Sequence, residues 1–110
     1  ISASDDFARE VKRLAKKYRS FKNDYAEFLK SIKENPLQGD EITKNIRKIR
    51  MAIGSKGKGK SGGARVITFN ILTDVQNGQV VLLLIYDKED ASTVKTNVVK
   101  QMVRDMGFEI

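Results

Sequence analysis

Twelve residues, Gly54-Ser55-Lys56-Gly57-Lys58-Gly59-Lys60-Ser61-Gly62-Gly63-Ala64-Arg65, hold four cations and five glycines. Nothing else in the 110-residue chain resembles them, and no hydrophobic core requires such a segment. Glycine lets a backbone take positive φ and approach a partner closely, while Lys and Arg add charge, so the pattern reads as a cradle for a phosphate-bearing ligand. The chain has no histidine and no cysteine. That removes the commonest general base and the commonest metal ligand, along with thiolate sites and disulfides, so any catalysis must use Lys, Arg, Tyr, Asp or Glu. Neither a metal nor an organic cofactor is expected.

The charge balance agrees with the loop. Lys plus Arg number 21 against 14 Asp plus Glu, a net charge of +7 and a pI near 9.7, which favours a polyanion or an acidic protein as partner. Hydrophobic residues at 40% and charged ones at 32% are ordinary for a soluble globular protein, and no apolar run approaches a membrane span. The length suits one domain with one core, residues 1–110, and the lack of cysteine fits a cytoplasmic location.

The elements that must position the loop follow from periodicity. Ile1-Ser2-Ala3 is expected to be a first strand shortened at the N-terminus. Ser4 is placed to cap a helix whose first turn carries Asp5 and Asp6 and whose apolar stripe is Phe7, Val11, Leu14 and Tyr18. Ser20 is expected to cap a second helix with stripe Phe21, Tyr25, Phe28, Leu29 and Ile32, ending before Asn35-Pro36. After Gly39 the period becomes two, with Ile49, Met51 and Ile53 alternating with Lys48, Arg50 and Ala52; this strand has a basic wet face that runs into the loop. Residues 65–72 read as the next strand, Asn77-Gly78 as a hairpin turn, and Val80 to Ile85, apolar on both faces, as the central strand. Asp90 or Ser92 is expected to cap a last helix bearing Val94, Val98, Val99, Met102, Val103 and Met106, with Gly107 at C′. The sum is α+β, a small antiparallel sheet with an N-terminal helical hairpin and a C-terminal helix.

Two patterns share the loop glycines. Gly54-x-x-x-x-Gly59-Lys60-Ser61 matches the phosphate loop of nucleotide hydrolases, and Val80 to Asp87 imitates the strand whose terminal Asp holds their magnesium. That loop must open a helix, whereas Val66-Ile67-Thr68-Phe69 continues here as a strand, so a nucleotide cofactor is not expected. The second pattern covers nearly the whole chain. Leu14-x-Lys-Lys-Tyr18, Asn35-Pro-x-x-Gly39, Ile46-Arg-Lys-Ile-Arg50, Gly57-Lys-Gly-Lys-Ser-Gly-Gly-Ala-Arg-Val-Ile67 and Leu82-Leu-Leu-Ile-Tyr-Asp-Lys88, in that order, resemble the RelE/HigB family of toxins from bacterial type II toxin–antitoxin modules.

The resemblance implies a RelE-like microbial RNase fold and an mRNA endonuclease acting at the ribosome, silenced by a cognate antitoxin. It implies metal-free cleavage in which a ribose 2′-hydroxyl attacks the neighbouring phosphate. In that scheme Arg65 stabilises the transition state, Lys58 and Lys60 orient the phosphates, one of these lysines acting also as a base, and Lys88 reaches the same cleft. Tyr86 is the phenol nearest this group, and equally an aromatic cap on a core strand. Lys48, Arg50 and Lys56, with Lys58 and Lys60, would meet RNA or the ribosome. Two departures from the family leave the general acid and base open. Glu89 follows Lys88 where well-studied members carry arginine, and no tyrosine follows Tyr86. Asp87 or Glu89 is expected either to take a proton or to cap the last helix. The alternatives are a ParE-like gyrase poison and a basic nucleic-acid-binding module without activity.

Overall fold

The computed structural model describes residues 1–72, 78–91 and 93–109, with Leu72 described for its backbone alone. Its elements are β1 (Ser2–Ala3), α1 (Asp5–Lys17), α2 (Phe21–Glu34), β2 (Asp40–Thr43), β3 (Ile46–Met51), a single 3-10 turn (Gly54–Lys56), β4 (Ala64–Leu72), β5 (Gly78–Asp87) and α3 (Thr96–Asp105). One five-stranded sheet runs in the order β1-β5-β4-β3-β2. The α+β expectation holds at this level, but the sheet is mixed rather than antiparallel, because β1 pairs parallel to β5 through Ser2↔Val81 and Ala3↔Leu82. The middle of the sheet is β4, not the Val80–Ile85 strand. Apart from half-buried Leu84, Val80 to Ile85 is buried all the same, because helices cover both faces there.

Each face has its own core. On one, α1 and α2 set Phe7, Leu14, Phe21, Phe28 and Ile32 against Ile49, Met51, Val66, Leu82 and Ile85. On the other, Val99 and Val103 of α3 pack on Ile46, Ile67, Phe69, Val81 and Leu83. Ser4 caps α1 as expected: its Oγ accepts from Phe7 N–H at 3.1 Å and donates to Leu83 O at 2.7 Å, stapling the helix start to β5. The Asn35 stop of α2 also holds.

Three expectations need correction. Asp40–Thr43 is a further strand, joined to β3 through Lys44-Asn45, where Asn45 takes φ 65°. Ser20 makes no side-chain cap; its hydroxyl is committed elsewhere. The last helix starts at Thr96 with Lys95 as its N-cap, so Asp90 does not cap it and instead meets Arg13 at 2.8 Å. Gly107 does sit just past that helix at φ 96°. The proposed Ser92 cap and the Asn77 half of the hairpin turn lie outside the described residues. Among the described residues no helix is long and apolar enough to cross a membrane.

Candidate functional site

The glycine-lysine loop leaves β3 and returns as β4, so it opens a strand and not a helix, unlike a nucleotide-hydrolase phosphate loop. Its first turn is tied to the start of α2: Asp24 Oδ2 accepts from Gly54 N–H at 2.9 Å and from Ser20 Oγ at 2.7 Å, while Ser20 Oγ accepts from Ser55 N–H at 2.8 Å. This is where the Ser20 hydroxyl goes instead of to a cap. Gly57 and Gly59 take φ of 69° and 64°, a left-handed geometry that side chains resist. At Gly63 the constraint is space, since a Cβ there would stand 2.1 Å from Met51 O. Gly63 O in turn accepts from Lys88 N–H at 3.0 Å, so the loop's end is sewn between β3 and the residue after β5.

Arg50, Arg65 and Tyr86 occupy paired positions on β3, β4 and β5, one row across the sheet on the α3 face. The row owes its composition to a bulge. Ile67 pairs with Leu84 but Thr68 with Leu82, so Leu83 is an extra residue that resets the alternation and turns Tyr86 toward Arg65 and Ile85 toward the α1–α2 core. Arg65 is 4% exposed, and its guanidinium donates to the carbonyls of Lys60 at 3.1 Å, Ser61 at 3.0 Å and Ala64 at 3.3 Å. The arginine expected to fork onto phosphate therefore holds the loop's own backbone. Tyr86, 9% exposed, has a buried hydroxyl with no hydrogen-bond partner. Burial raises its pKa while Arg65 partly offsets the rise, so the phenol stays protonated and can only donate or accept a hydrogen bond at neutral pH.

On the opposite face the strand-end carboxylate is the centre of a buried network. Asp87 is fully buried and accepts from Lys56 Nζ at 2.7 Å, from Glu89 N–H at 3.0 Å and from Tyr18 Oη in a short contact. Burial alone would raise the carboxyl, but the hydrogen bonds from Lys56 and Tyr18 outweigh it and hold Asp87 at about 2. Burial likewise opposes the Lys56 charge, yet Asp87 and Glu89 prevail and raise that ammonium above its ordinary value. The Tyr18 phenol is raised chiefly by its hydrogen bond to Asp87. Glu89 bridges Lys56 at 3.3 Å and Lys58 at 3.4 Å, and these two lysines, Lys56 foremost, lower its carboxyl. Neither Asp87 nor Glu89 caps α3.

The expected site residues therefore divide. Lys56, with a side chain 3% exposed, is turned inward on Asp87 and is not on the RNA-facing surface expected of it. Lys58 is exposed but shares Glu89. Lys48, Arg50, Lys60 and Lys88 form no ion pair among the described residues, and of these Arg50, Lys60 and Lys88 are exposed. Arg50 and Lys60 also line a cleft of about 240 Å³ between α2 and the end of β3, with Phe28 and Met51 beneath and Glu27 and Gln38 on its α2 side. Sequence reasoning missed Tyr18, Asp87 and Lys56 as a unit; the only local signal was an acid ending an apolar strand. No protein-family model matches the chain.

Proposed function

We propose that this protein is an endoribonuclease of the RelE/HigB toxin type, with a RelE-like fold, acting on mRNA at the ribosome in the cytoplasm and neutralised by a cognate antitoxin. The observation that carries the reading is the row Arg50-Arg65-Tyr86 with unpaired Lys48, Lys60 and Lys88 around it: fixed positive charge gathered at one end of a sheet, beside a phenol that lacks a partner. Phosphodiester cleavage by a 2′-hydroxyl passes through a transition state with added charge on the phosphate oxygens, which preorganised cations stabilise. The 2′-oxygen passes its proton to water or a nearby base and bonds to phosphorus as the P–O5′ bond breaks, giving a 2′,3′-cyclic phosphate and a 5′-oxygen that takes up a proton. Arg50 and Lys60 are the reachable cations, Lys88 follows the end of the neighbouring strand, and the Tyr86 hydroxyl, buried in this structure, donates a hydrogen bond to the substrate only once it is uncovered. Arg65 meets the phosphate once the Lys60-Ser61 turn is displaced from its guanidinium.

The test is primer extension on a short message in a purified translation system, with and without ribosomes, comparing wild type with Arg65→Ala, Lys60→Ala and Arg50→Ala. A discrete cut that falls about a hundredfold in Arg65→Ala supports the reading. The exposed Lys60 and Arg50 variants guard against misfolding. No cut by a folded wild-type protein refutes it. A second reading, a basic nucleic-acid-binding module without activity, is favoured by the burial of both the Arg65 guanidinium and the Tyr86 hydroxyl. It expects salt-sensitive RNA binding with no product.

A further inference from the structure

Two of the loop's four cations are answered by acids and a third by carbonyls. Lys56 lies on Asp87 at 2.7 Å and Arg65 on the Lys60 and Ser61 carbonyls, while Lys58 and Lys60 are exposed. Lys58 is nevertheless held along its length. Its stem crosses Gly62, where an added Cβ would stand 2.4 Å from Lys58 Cβ, and its ammonium reaches Glu89 Oε1 at 3.4 Å. The same oxygen stands 3.3 Å from Lys56 Nζ, so Glu89 has a second partner in the buried half of the loop. Both lysines, Lys56 foremost, lower the Glu89 carboxyl, which is therefore ionised at neutral pH. The Glu89 backbone is fixed independently of its side chain: its N–H donates to Asp87 Oδ1 at 3.0 Å, and the Lys88 N–H before it donates to Gly63 O at 3.0 Å. Lys60 alone of the four is exposed with no acidic partner among the described residues.

We infer that Glu89 is a positioning residue that acts through Lys58: it serves as an internal counter-anion and keeps that lysine from an RNA phosphate until the substrate takes its place. The inference rests on the RNA reading for its substrate. A phosphate oxygen and a carboxylate oxygen accept from an ammonium in the same way, so recruiting Lys58 exchanges one partner for another and gains little. Once released, Glu89 keeps Lys56 as its partner, so its charge stays beside the loop and opposes the incoming phosphate. The Lys58 side chain is 60% exposed and that of Glu89 49%, so the pair can open while Asp87 remains the main anchor of the buried ammonium. Glu89 therefore costs affinity, and removing its charge should strengthen binding. The gain expected is about fivefold, or about 1 kcal/mol at about 1.4 kcal/mol per factor of ten, the upper end for an exposed ion pair.

The test is a double-mutant cycle on the full chain, with a short RNA whose 2′-hydroxyls are methylated so that it binds but cannot be cut. Wild type, Glu89→Gln, Lys58→Ala and the double variant are compared by fluorescence anisotropy at one salt concentration. Glu34→Gln is the control: it makes the same change of net charge ten residues, about 15 Å, along α2 from Asp24, which the loop touches. Glu89→Gln should bind about fivefold tighter and Glu34→Gln within about twofold of wild type. In the Lys58→Ala background the Glu89→Gln gain should fall below about twofold. On a cleavable message in the translation system, Glu89→Gln should lower KM about fivefold and leave kcat within about twofold. Equal binding by wild type and Glu89→Gln, or a gain that survives undiminished without Lys58, overturns the inference and leaves the RNA reading standing. If the methylated RNA is bound but no message is cut, the cleavage reading falls and the binding cycle still decides the role of Glu89. A folded wild-type protein that neither binds nor cuts RNA overturns both.

Discussion

Asp87→Asn removes one negative charge from the middle of the buried network and leaves Lys56, whose ammonium lies 2.7 Å from that carboxylate, without its main counter-charge. The carboxyl is held at about 2 against an ordinary 3.8. At 1.36 kcal/mol per pH unit the ionised form in the folded state is favoured by about 2.5 kcal/mol. Breaking a buried pair from one side costs about 3–5 kcal/mol, so the substitution should destabilise by about 2–4 kcal/mol and lower the melting temperature by roughly 10 °C. The pH dependence has a definite sign. As pH falls the unfolded chain takes up the Asp87 proton first, near 3.8, so the stabilisation is complete above about pH 5 and disappears as pH drops through about 2. Urea unfolding at pH 7 and at steps down to pH 2.5 reads both effects. Asp87→Asn should be weaker at pH 7 and should lose part of the wild-type decline in acid. Adding Lys56→Met to Asp87→Asn should recover part of the loss, because the buried ammonium, left with the half-exposed Glu89 alone as its counter-charge, is then gone. A pH 7 change under 0.5 kcal/mol, or the same acid decline in both proteins, refutes the argument that this carboxylate anchors the loop.

Other substitutions separate the loop's parts. Gly63→Ala drives a methyl against Met51 O and should lower stability by about 1–3 kcal/mol in urea unfolding, whereas Gly57→Ala, with open space around its Cβ but positive φ, should lose about 1 kcal/mol. Lys60→Ala and Arg50→Ala should leave the unfolding midpoint unchanged and each reduce the salt slope of RNA binding by about one, while Lys56→Met should do the reverse. Tyr86→Phe deletes a buried hydroxyl that has no partner, so the protein should gain about 1 kcal/mol of stability while losing RNA cleavage; unchanged cleavage would make Tyr86 a core aromatic only.

Much of the frame was legible because it rests on local signals. The Ser4 cap, the two apolar stripes, the Asn35-Pro36 stop and the β-branched runs of β4 and β5 each announce themselves within a few residues. β2 does not, being two exposed and two half-buried residues that pair only with β3 and carry too short an alternation to register. The site was legible as a charge cluster but not as a division of labour. Lys56, Lys58 and Lys60 share nearly identical neighbours in sequence. What distinguishes them is Asp87 and Glu89, some thirty residues on, and a helix end that brings Tyr18 over the same carboxylate. Arg65 misled for a related reason. A cation at a strand start looks free in sequence, and only the path of the preceding turn supplies the carbonyls that hold it.

The extra residue at Leu83 decides how those charges are shared between the two faces. With unbroken alternation from Val81, Tyr86 would point toward α1 and α2 and Asp87 toward α3. The acid would then stand in the Arg65 row, neutralising the cation that the row presents, and the phenol would sit where Lys56 now arrives. With the bulge in place, Asp87 falls under Tyr18 and takes Lys56 out of solvent, while Tyr86 joins Arg50 and Arg65 in a row that holds no carboxylate. One inserted residue thus separates an anchoring half of the loop, neutral and buried, from a positive half that is open to an anion. The same step explains why the loop can be rich in glycine and still hold a defined shape. Its flexible positions are bracketed by the Asp24 and Ser20 contacts at one end, the Asp87 pair in the middle and the Gly63–Lys88 hydrogen bond at the other. Arg65 adds a further tie through the carbonyls of Lys60 and Ser61, so that of the loop cations only the side chains of Lys58 and Lys60 stand exposed, and Lys58 shares Glu89.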